Sequence, residues 1–403
     1  MNHTFKARKI IISNILQVQI FTRFIFNQAN HVFGKHMRKL KKLIKQPGPF
    51  FRDFLNKRYP VVNNEQMIKE EEENIVIQNS FLLLKQDSLI LSQALDVDVV
   101  FTWVNNKDIE WQRKYKEFSD KHPPSSIGLH ANDNARFCNH NELFYSVYSV
   151  KQYLPWVRNI FIVTDNQIPE CIDLSDPSIK LIDHKEIIDS KFLPTFNSHV
   201  IEAHLHNIPG LSENFIYFND DVFVARELMV QHFFRSNGIA SIFVSNKSLN
   251  AMHKKGTNTP TLAASQNCIH LLQKYYQIKI DTPLVHTYVP LKKSAYQKAW
   301  GLFRQEIQEF LPNKLRTNQD LNLATFLIPW LMYLEGKAVT TQEICYYFNI
   351  RSANAPAQYL KLLSKNKKGQ QPHSFCANDF NSKQQIPNYQ NKLLSMLESY
   401  YGI

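Results

Sequence analysis

From residue 96 onwards, short apolar runs alternate along the chain with segments of helical periodicity. This alternation is typical of α/β proteins, in which buried parallel strands are covered by helices. The apolar runs predict strands at 97–104, 159–164, 179–182 and 214–218, and the periodic segments predict helices at 142–153 and 198–207. We therefore predict a Rossmann-like, mostly parallel sheet.

The chain of 403 residues is long enough for two or three domains, and its 44% hydrophobic and 20% charged residues belong to a folded protein. Residue 250 marks a change to mainly helical patterns, of which 321–334 is the clearest. The predicted organisation is a basic N-terminal arm (1–60), a linker with helical potential (61–95), an α/β catalytic core (96–250) and a mainly helical C-terminal lobe that completes the active site (251–403).

The N-terminal arm holds thirteen Lys and Arg residues and a single acid, whereas 61–403 holds 34 basic and 34 acidic residues. Such an arm gains favourable Coulomb energy near an anionic surface. The apolar stretch at 10–26 is interrupted by polar residues, so it falls short of the roughly 18 apolar residues of a membrane span and does not resemble a cleavable signal peptide. We expect peripheral contact with an anionic membrane; a solvated tail is the alternative.

The cysteine count and the charge balance bear on the cellular compartment and the binding partners. Five cysteines, an odd number and widely spaced, favour a reducing cytoplasm and no structural zinc. This predicts a cytoplasmic protein, peripheral on the inner face of the cell membrane. Nucleic acid is not an expected partner, because the balanced charge of 61–403 argues against an extended basic groove.

Polar residues follow each predicted strand, where open parallel sheets bind their ligands. They are Asn105 and Asp108, Asp165 and Asn166, Asp183 and His184, and finally Asn219, Asp220 and Asp221. The last group is the strongest local signal, since paired carboxylates at a strand end suit a hard divalent cation that bridges phosphate oxygens. An ordinary Asx turn is the alternative interpretation.

Three further segments carry candidate residues. A helix is predicted to begin at Asn197 or Ser198, and the residues His199, Glu202 and His204 within it are either ligands or surface side chains. His286 lies in a proline-bounded loop, and a histidine can exchange a proton near neutral pH. Arg316 precedes an apolar helix, and an arginine can bind phosphate through two hydrogen bonds. Structural roles for both are the alternative.

Taken together, four ordered blocks over about 96–380 resemble the Stealth family. They are 96–108; 136–221, with Arg136-Phe-Cys-Asn-His-Asn-Glu-Leu143 and the segments 155–165, 193–198 and 217–221; a third block with His286 and 316–320; and 376–379. The family includes bacterial capsular polysaccharide phosphotransferases and the catalytic subunit of the animal enzyme that adds N-acetylglucosamine 1-phosphate to lysosomal glycans. The chain departs from the family pattern at Asn106, usually glycine, and at Cys138-Asn139, usually Arg-Asp.

The resemblance implies a set of site residues. The implied catalytic residues are Asp108, Asp221, His286 and Arg316; the substrate-binding residues are Asn105, Arg136, Glu142, Asn197, Ser198, Glu202 and Asn219; the metal ligands are Asp220, Asp221 and Asp379. The expected cofactor is Mg²⁺ or Mn²⁺.

The implied reaction moves a hexose or N-acetylhexosamine 1-phosphate from a nucleotide sugar to a carbohydrate hydroxyl, with release of a nucleoside monophosphate. Phosphoryl transfer of this kind depends on positioning and charge neutralisation. Either Asp108 or His286 would accept the hydroxyl proton. The nearest alternative is a metal-dependent glycosyltransferase that releases a nucleoside diphosphate, and a more distant one is a polyanion-binding protein.

Overall fold

Five strands form the central sheet of the computed structural model, in the order β3-β2-β1-β4-β7. They are β1 (Val97–Thr102), β2 (Ile160–Thr164), β3 (Ile179–Asp183), β4 (Asn214–Asn219) and β7 (Val289–Lys292). The first four are parallel, and β7 runs antiparallel to β4. The structure describes Pro47 and residues 68–90, 95–119, 140–256, 259–379 and 385–403. The predicted α/β fold with a mostly parallel sheet is confirmed.

The parallel strands form where the sequence places continuous apolar runs. Val99 and Phe101 in β1 are fully buried on one face of the sheet, and Val100, which lies between them in the sequence, is fully buried on the other face. Burial on both faces is what a parallel sheet covered by helices requires. The four predicted strands are confirmed, although β1 ends at Thr102, two residues earlier than expected.

Helices cover the sheet and make up much of the C-terminal half, which also contributes β7 to the central sheet. They are α1 (Glu70–Ile90), α2 (Ile109–Ser119), α3 (Glu142–Tyr153), α4 (His184–Ile187), α5 (Ser198–Glu202), α6 (Val230–Phe233), α7 (Leu249–Lys254), α8 (Pro260–Tyr276), α9 (Lys293–Leu302), α10 (Arg304–Phe310), α11 (Ile328–Leu334), α12 (Ala355–Lys367) and α13 (Tyr389–Tyr401). Short 3₁₀ turns occupy Ser190–Phe192 and Leu205–Asn207.

Two predicted helices differ from the observed ones. The helix predicted at 198–207 is divided into α5 and a 3₁₀ turn. The helix predicted at 321–334 begins as a π turn, Leu323–Leu327, before α11. Pro329 stands at the start of α11 and has no N–H to donate, so a regular α-helical ladder cannot run through this point.

Two smaller sheets are built partly from the C-terminal half. One has the order β5-β10-β9, with β5 (Val222–Val224) antiparallel and β9 (Cys345–Asn349) parallel to β10 (Ser374–Asn378). The other pairs β6 (Ala240–Phe243) with β8 (Ala338–Thr341). Because β5 follows β4 after only Asp220 and Asp221, these two acids connect the central sheet to the second one.

Some predictions fall on the N-terminal region. The basic arm lies outside the described residues except for Pro47, so its membrane contact stays a prediction, as do the domain boundaries. No helix in the described ranges is both long and apolar enough to cross a membrane. The helical potential of the linker is realised in α1. Within the described chain, Cys171, Cys268, Cys345 and Cys376 are not joined in disulfide bonds.

Candidate active site

A cavity of about 250 Å³ lies at the carboxyl edge of the central sheet. Residues that follow or end β1, β2 and β4 line it, and so does the end of β10. It brings together eight of the predicted site residues: Glu142, Ser198, Asn219, Asp220, Asp221, His286, Arg316 and Asp379. The outermost of these residues, Glu142 and Asp379, lie more than 200 positions apart in the sequence. They come together because the ends of parallel strands meet at one edge of the sheet.

Two of the carboxylates that line this cavity, Glu142 and Asp220, have raised pKa values. Burial raises the pKa of Asp220 to about 7, and the charge of Asp221 adds to the effect. Burial also raises the pKa of Glu142 well above its ordinary value, with a further contribution from the charge of Asp220. Burying carboxylates close together in this way disfavours their ionised forms.

Asp221 has the environment of a cation ligand. Its Oδ2 accepts hydrogen bonds from Asn378 Nδ2 at 3.0 Å and from Cys376 Sγ at 3.4 Å. Its Oδ1 is buried and has no hydrogen-bond partner among the described residues. Ligand atoms of Asp221, His286 and Cys376 lie within 4.8 Å of one another. An orphaned buried oxygen beside raised carboxylate pKa values fits a divalent cation, which would supply the missing positive charge.

Asp379 already has two cationic or polar partners. Arg351 contacts both of its oxygens, with Nη2 at 2.8 Å from Oδ2, and His140 Nε2 lies 2.9 Å from Oδ2. Burial opposes ionisation of Asp379, but these hydrogen bonds lower its pKa below the ordinary value. Asp379 thus lines the cavity as a neutralised carboxylate, and its metal-binding role stays a prediction. Arg351 was not predicted as a site residue, because its position just after β9 is a weak signal in the sequence.

Arg316 is held in place by hydroxyl groups. Its Nε donates to Ser198 Oγ at 3.0 Å, its Nη2 contacts the same oxygen, and its Nη1 donates to Thr261 Oγ1 at 3.1 Å. No described carboxylate forms an ion pair with it. Its charge therefore remains available to an anionic substrate, which is the property that phosphate binding requires.

Asn197 does not line the cavity; it supports the helix that carries Ser198, the residue that contacts Arg316. It caps α5 by accepting a hydrogen bond from His199 N at 3.1 Å, and its Nδ2 donates to Asp320 Oδ2 at 2.8 Å. The neighbouring His199 bonds the same carboxylate at 3.1 Å. Because His199, Glu202 and His204 are each at most 4% exposed, the surface interpretation of these three is wrong.

Asp108 and Asn105 lie off the cavity wall. Asp108 Oδ1 accepts a hydrogen bond from Trp111 N at 2.8 Å, so the aspartate caps α2. The backbone of Asn105 exchanges two hydrogen bonds with the side chain of Gln167. Glu202 lines a second, neighbouring cavity, and Arg136 lies outside the described residues. The catalytic role of Asp108 and the substrate-binding roles of Asn105 and Arg136 stay predictions.

An aromatic surface forms another part of the cavity. Trp103, Trp111 and Phe196 line it, with Trp111 and Phe196 edge to face at 5.4 Å and Tyr115 stacked on Trp111 at 5.1 Å. Sequence reasoning missed this surface, because Phe196 lies 85 positions from Trp111 and no motif joins them.

The fold and the cavity define an α/β enzyme with an acidic, arginine-containing site at the edge of a parallel sheet. Family models described as Stealth protein conserved regions 1 and 2 match residues 95–123 and 136–242. The capsular polysaccharide phosphotransferase LcbA of Neisseria meningitidis is 60% identical over 91% of this chain and 100% of its own length. A capsular polysaccharide phosphotransferase of Actinobacillus suis is 59% identical over 92% of this chain and 100% of its own length.

The chain therefore belongs to the Stealth family, and like these relatives it is a phosphotransferase. Both the predicted family and the predicted enzyme class are confirmed. Among solved structures, the galactosyltransferase LgtC is similar with a TM-score of 0.38 and 12% identity, covering 75% of this chain and 95% of its own.

Proposed function

We propose that the enzyme builds capsular polysaccharide by moving a hexose or N-acetylhexosamine 1-phosphate from a nucleotide sugar to a carbohydrate hydroxyl. One observation carries the proposal: Arg316, with no described acidic partner, shares a cavity with the closely spaced Asp220 and Asp221. A cationic guanidinium and a cation-binding pair of acids are the two groups that a diphosphate needs.

A divalent cation, Mg²⁺ or Mn²⁺, fits at Asp221. When bound, it would neutralise charge on the diphosphate. Asp220 would contribute a second oxygen and Cys376 a sulfur, while the nearby His286 is assigned to proton transfer instead. A sulfur donor suits Mn²⁺ better than Mg²⁺, which prefers oxygen ligands and retains water.

The nucleoside of the donor has a suitable surface in the same cavity. Trp103, Trp111 and Phe196 offer rings on which a base can stack. Asp165, also on the wall, is fixed by Lys114 Nζ at 2.9 Å and can accept a hydrogen bond from a base or ribose. We therefore place the diphosphate between this aromatic surface and Arg316.

In the proposed reaction, the acceptor hydroxyl attacks the phosphorus next to the sugar. The new oxygen–phosphorus bond forms as the bond from that phosphorus to the bridging oxygen breaks, and a nucleoside monophosphate leaves with the bridging oxygen. Arg316 stabilises the charge on the phosphoryl oxygens. His286 accepts the hydroxyl proton, because it lines the cavity whereas Asp108 caps a helix.

The nucleotide product tests this proposal. The enzyme is incubated with Mn²⁺, a panel of nucleotide-linked hexoses and hexosamines, and capsular oligosaccharide, and the nucleotides are separated by anion-exchange chromatography. The proposal predicts a nucleoside monophosphate that accumulates in step with an extended oligosaccharide. Extension accompanied by nucleoside diphosphate alone would identify a conventional glycosyltransferase and contradict the proposal.

A further inference from the structure

A second cavity, also of about 250 Å³, adjoins the first. The two cavities share three wall residues, Asn219, His286 and Arg316. A reactant in either cavity would therefore reach the side chains proposed for the chemistry. A two-substrate transfer needs this arrangement, in which two binding spaces meet at the reacting groups.

The wall of the second cavity is chemically different from that of the first. Most of its polar groups are neutral, including Thr261, Ser265, Asn322 and Thr325, and Leu262 and Phe326 add apolar surface. Its charged groups are Glu202, Lys247 and Arg316. A mixture of hydroxyl, amide and apolar groups suits the hydroxyls and C–H faces of a saccharide. The aromatic and acidic groups assigned to the donor face the other cavity.

Glu202 gives the second cavity an unsatisfied acceptor. Its side chain is only 4% exposed, and its carboxylate has no hydrogen bond or ion pair within the described part of the chain. Burial raises the pKa of Tyr217 and of Tyr296, and the negative charge of Glu202 raises both further. A buried carboxylate without a partner is costly unless a ligand supplies donors.

We propose that the second cavity binds the acceptor saccharide, with Glu202 accepting hydrogen bonds from its hydroxyl groups. The inference rests on the proposed function and adds where the acceptor lies. The carboxylate of Glu202 attracts O–H donors, and the hydroxyl and amide groups around it pair with the remaining hydroxyls of a sugar ring. A sugar held there presents its attacking hydroxyl at the boundary formed by His286 and Arg316.

Glu202→Gln tests the assignment, because glutamine keeps the shape and removes the charge. The acceptor is the oligosaccharide released by mild acid from the capsule of the strain that carries the gene. We expect the acceptor KM to rise about ten- to a hundredfold, the effect of losing a charge-assisted hydrogen bond. The donor KM should stay unchanged.

A raised donor KM, or an unchanged acceptor KM, would overturn the inference. Met252→Trp is the second variant, since Met252 is a half-buried wall residue of the second cavity alone and tryptophan would fill the space. Met252→Trp should raise the acceptor KM and leave the donor KM unchanged, and it tests the inference even if Glu202→Gln folds poorly. Leu360→Trp, on the exposed face of α12, is the control and should change neither KM.

Binding separates this inference from the proposed function. Saturation-transfer NMR of the same oligosaccharide, with nucleoside monophosphate present, should give signals with the unaltered protein and much weaker ones with Glu202→Gln. If the unaltered protein makes no phosphodiester but binds in this way, the proposed function fails and the saccharide site stands. Equal signals from both proteins would refute the site.

Discussion

At the scale of single residues, the candidate chemistry depends on charges that the protein leaves uncompensated. Asp221 keeps one buried oxygen without a described partner, and Arg316 is fixed by hydroxyls rather than by a carboxylate. By contrast, the buried Asp98 accepts from Arg158 at 2.7 Å and from Ser212 N at 2.7 Å. Asp98, which supports the fold, is paired with an arginine, whereas Asp221 and Arg316 have no partner of opposite charge among the described residues.

Replacing Arg316 tests its proposed role directly. We expect Arg316→Ala to lower kcat by about 10²–10³-fold, as removal of one transition-state donor does in other enzymes. Circular dichroism should show an unchanged fold, because Ser198 and Thr261 are hydroxyls that water can satisfy. Arg304→Ala, at an exposed arginine of α10, is the matched control and should leave kcat unchanged. Near-normal turnover of Arg316→Ala would remove this residue from the mechanism.

The proton acceptor can be identified by a pair of conservative substitutions. Asparagine is as good a helix cap as aspartate, so Asp108→Asn should keep both the cap of α2 and most of the turnover. His286→Gln should lower kcat by about 10²–10⁴-fold, the range for a general base. Steady-state kinetics of both variants decide between them. The reverse pattern would assign the proton transfer to Asp108, the other candidate that the sequence leaves open.

At the scale of elements, the sequence predicts strands better than the contacts between them. The apolar residues of β1 point to both faces of the sheet, as in a strand that is covered on both sides: Val97, Val99, Val100 and Phe101. This pattern is visible within a few consecutive residues of the sequence. The contact of Asp221 with Asn378 joins residues 157 positions apart through the pairing of β5 with β10. Such pairing leaves no local pattern, which explains why Asn378 and the second cavity could not be predicted.

The short helix α5 positions the arginine, so its cap should matter for both stability and turnover. Asn197→Ala removes the cap and the hydrogen bond to Asp320, and we expect the free energy of unfolding to fall by about 1–3 kcal/mol. Ser198 would then hold Arg316 less firmly, and kcat should fall as well. Urea titration and kinetics measure the two effects.

Asp189→Ala is the matched control for this element. Asp189 caps the 3₁₀ turn Ser190–Phe192 and lies outside both cavity walls. It should lower stability slightly and leave kcat unchanged. Loss of stability in Asn197→Ala with full turnover would contradict the positioning role of α5.

At the scale of the whole molecule, buried histidines make stability depend on pH. Burial lowers the pKa of His206 to about 4, with the charge of His204 adding to it, and burial lowers the pKa of His184 to about 4. Both are near 6.5 in the unfolded chain. Between these values the unfolded state binds more protons, so the free energy of unfolding should fall as the pH drops from 6.5 towards 4.

Each such histidine contributes a slope of about 1 kcal/mol per pH unit in the middle of this window. His206→Gln should therefore reduce the slope measured by urea titration between pH 6 and pH 5. His270→Gln, at an exposed position of α8, should leave the slope unchanged. An identical slope in His206→Gln and the unaltered protein would contradict the buried, neutral state assigned to His206.

The architecture of the whole molecule was predictable because the alternation of apolar runs and helical periods continues over much of the chain. The ordered family blocks added the reaction class, which composition and periodicity alone could not supply. The two-cavity arrangement was not predictable, since it arises where α5, α8 and the loop before β7 meet. Folding brings these segments together without a common motif.

The central claim is that phosphorus travels with the sugar. A nucleotide sugar labelled with ³²P at the phosphorus next to the sugar follows that atom directly, with capsular oligosaccharide as acceptor and the products separated by size. The proposed reaction predicts label in the oligosaccharide, resistant to phosphatase, and an unlabelled nucleoside monophosphate. Extended oligosaccharide without label, together with labelled nucleoside diphosphate, would contradict it.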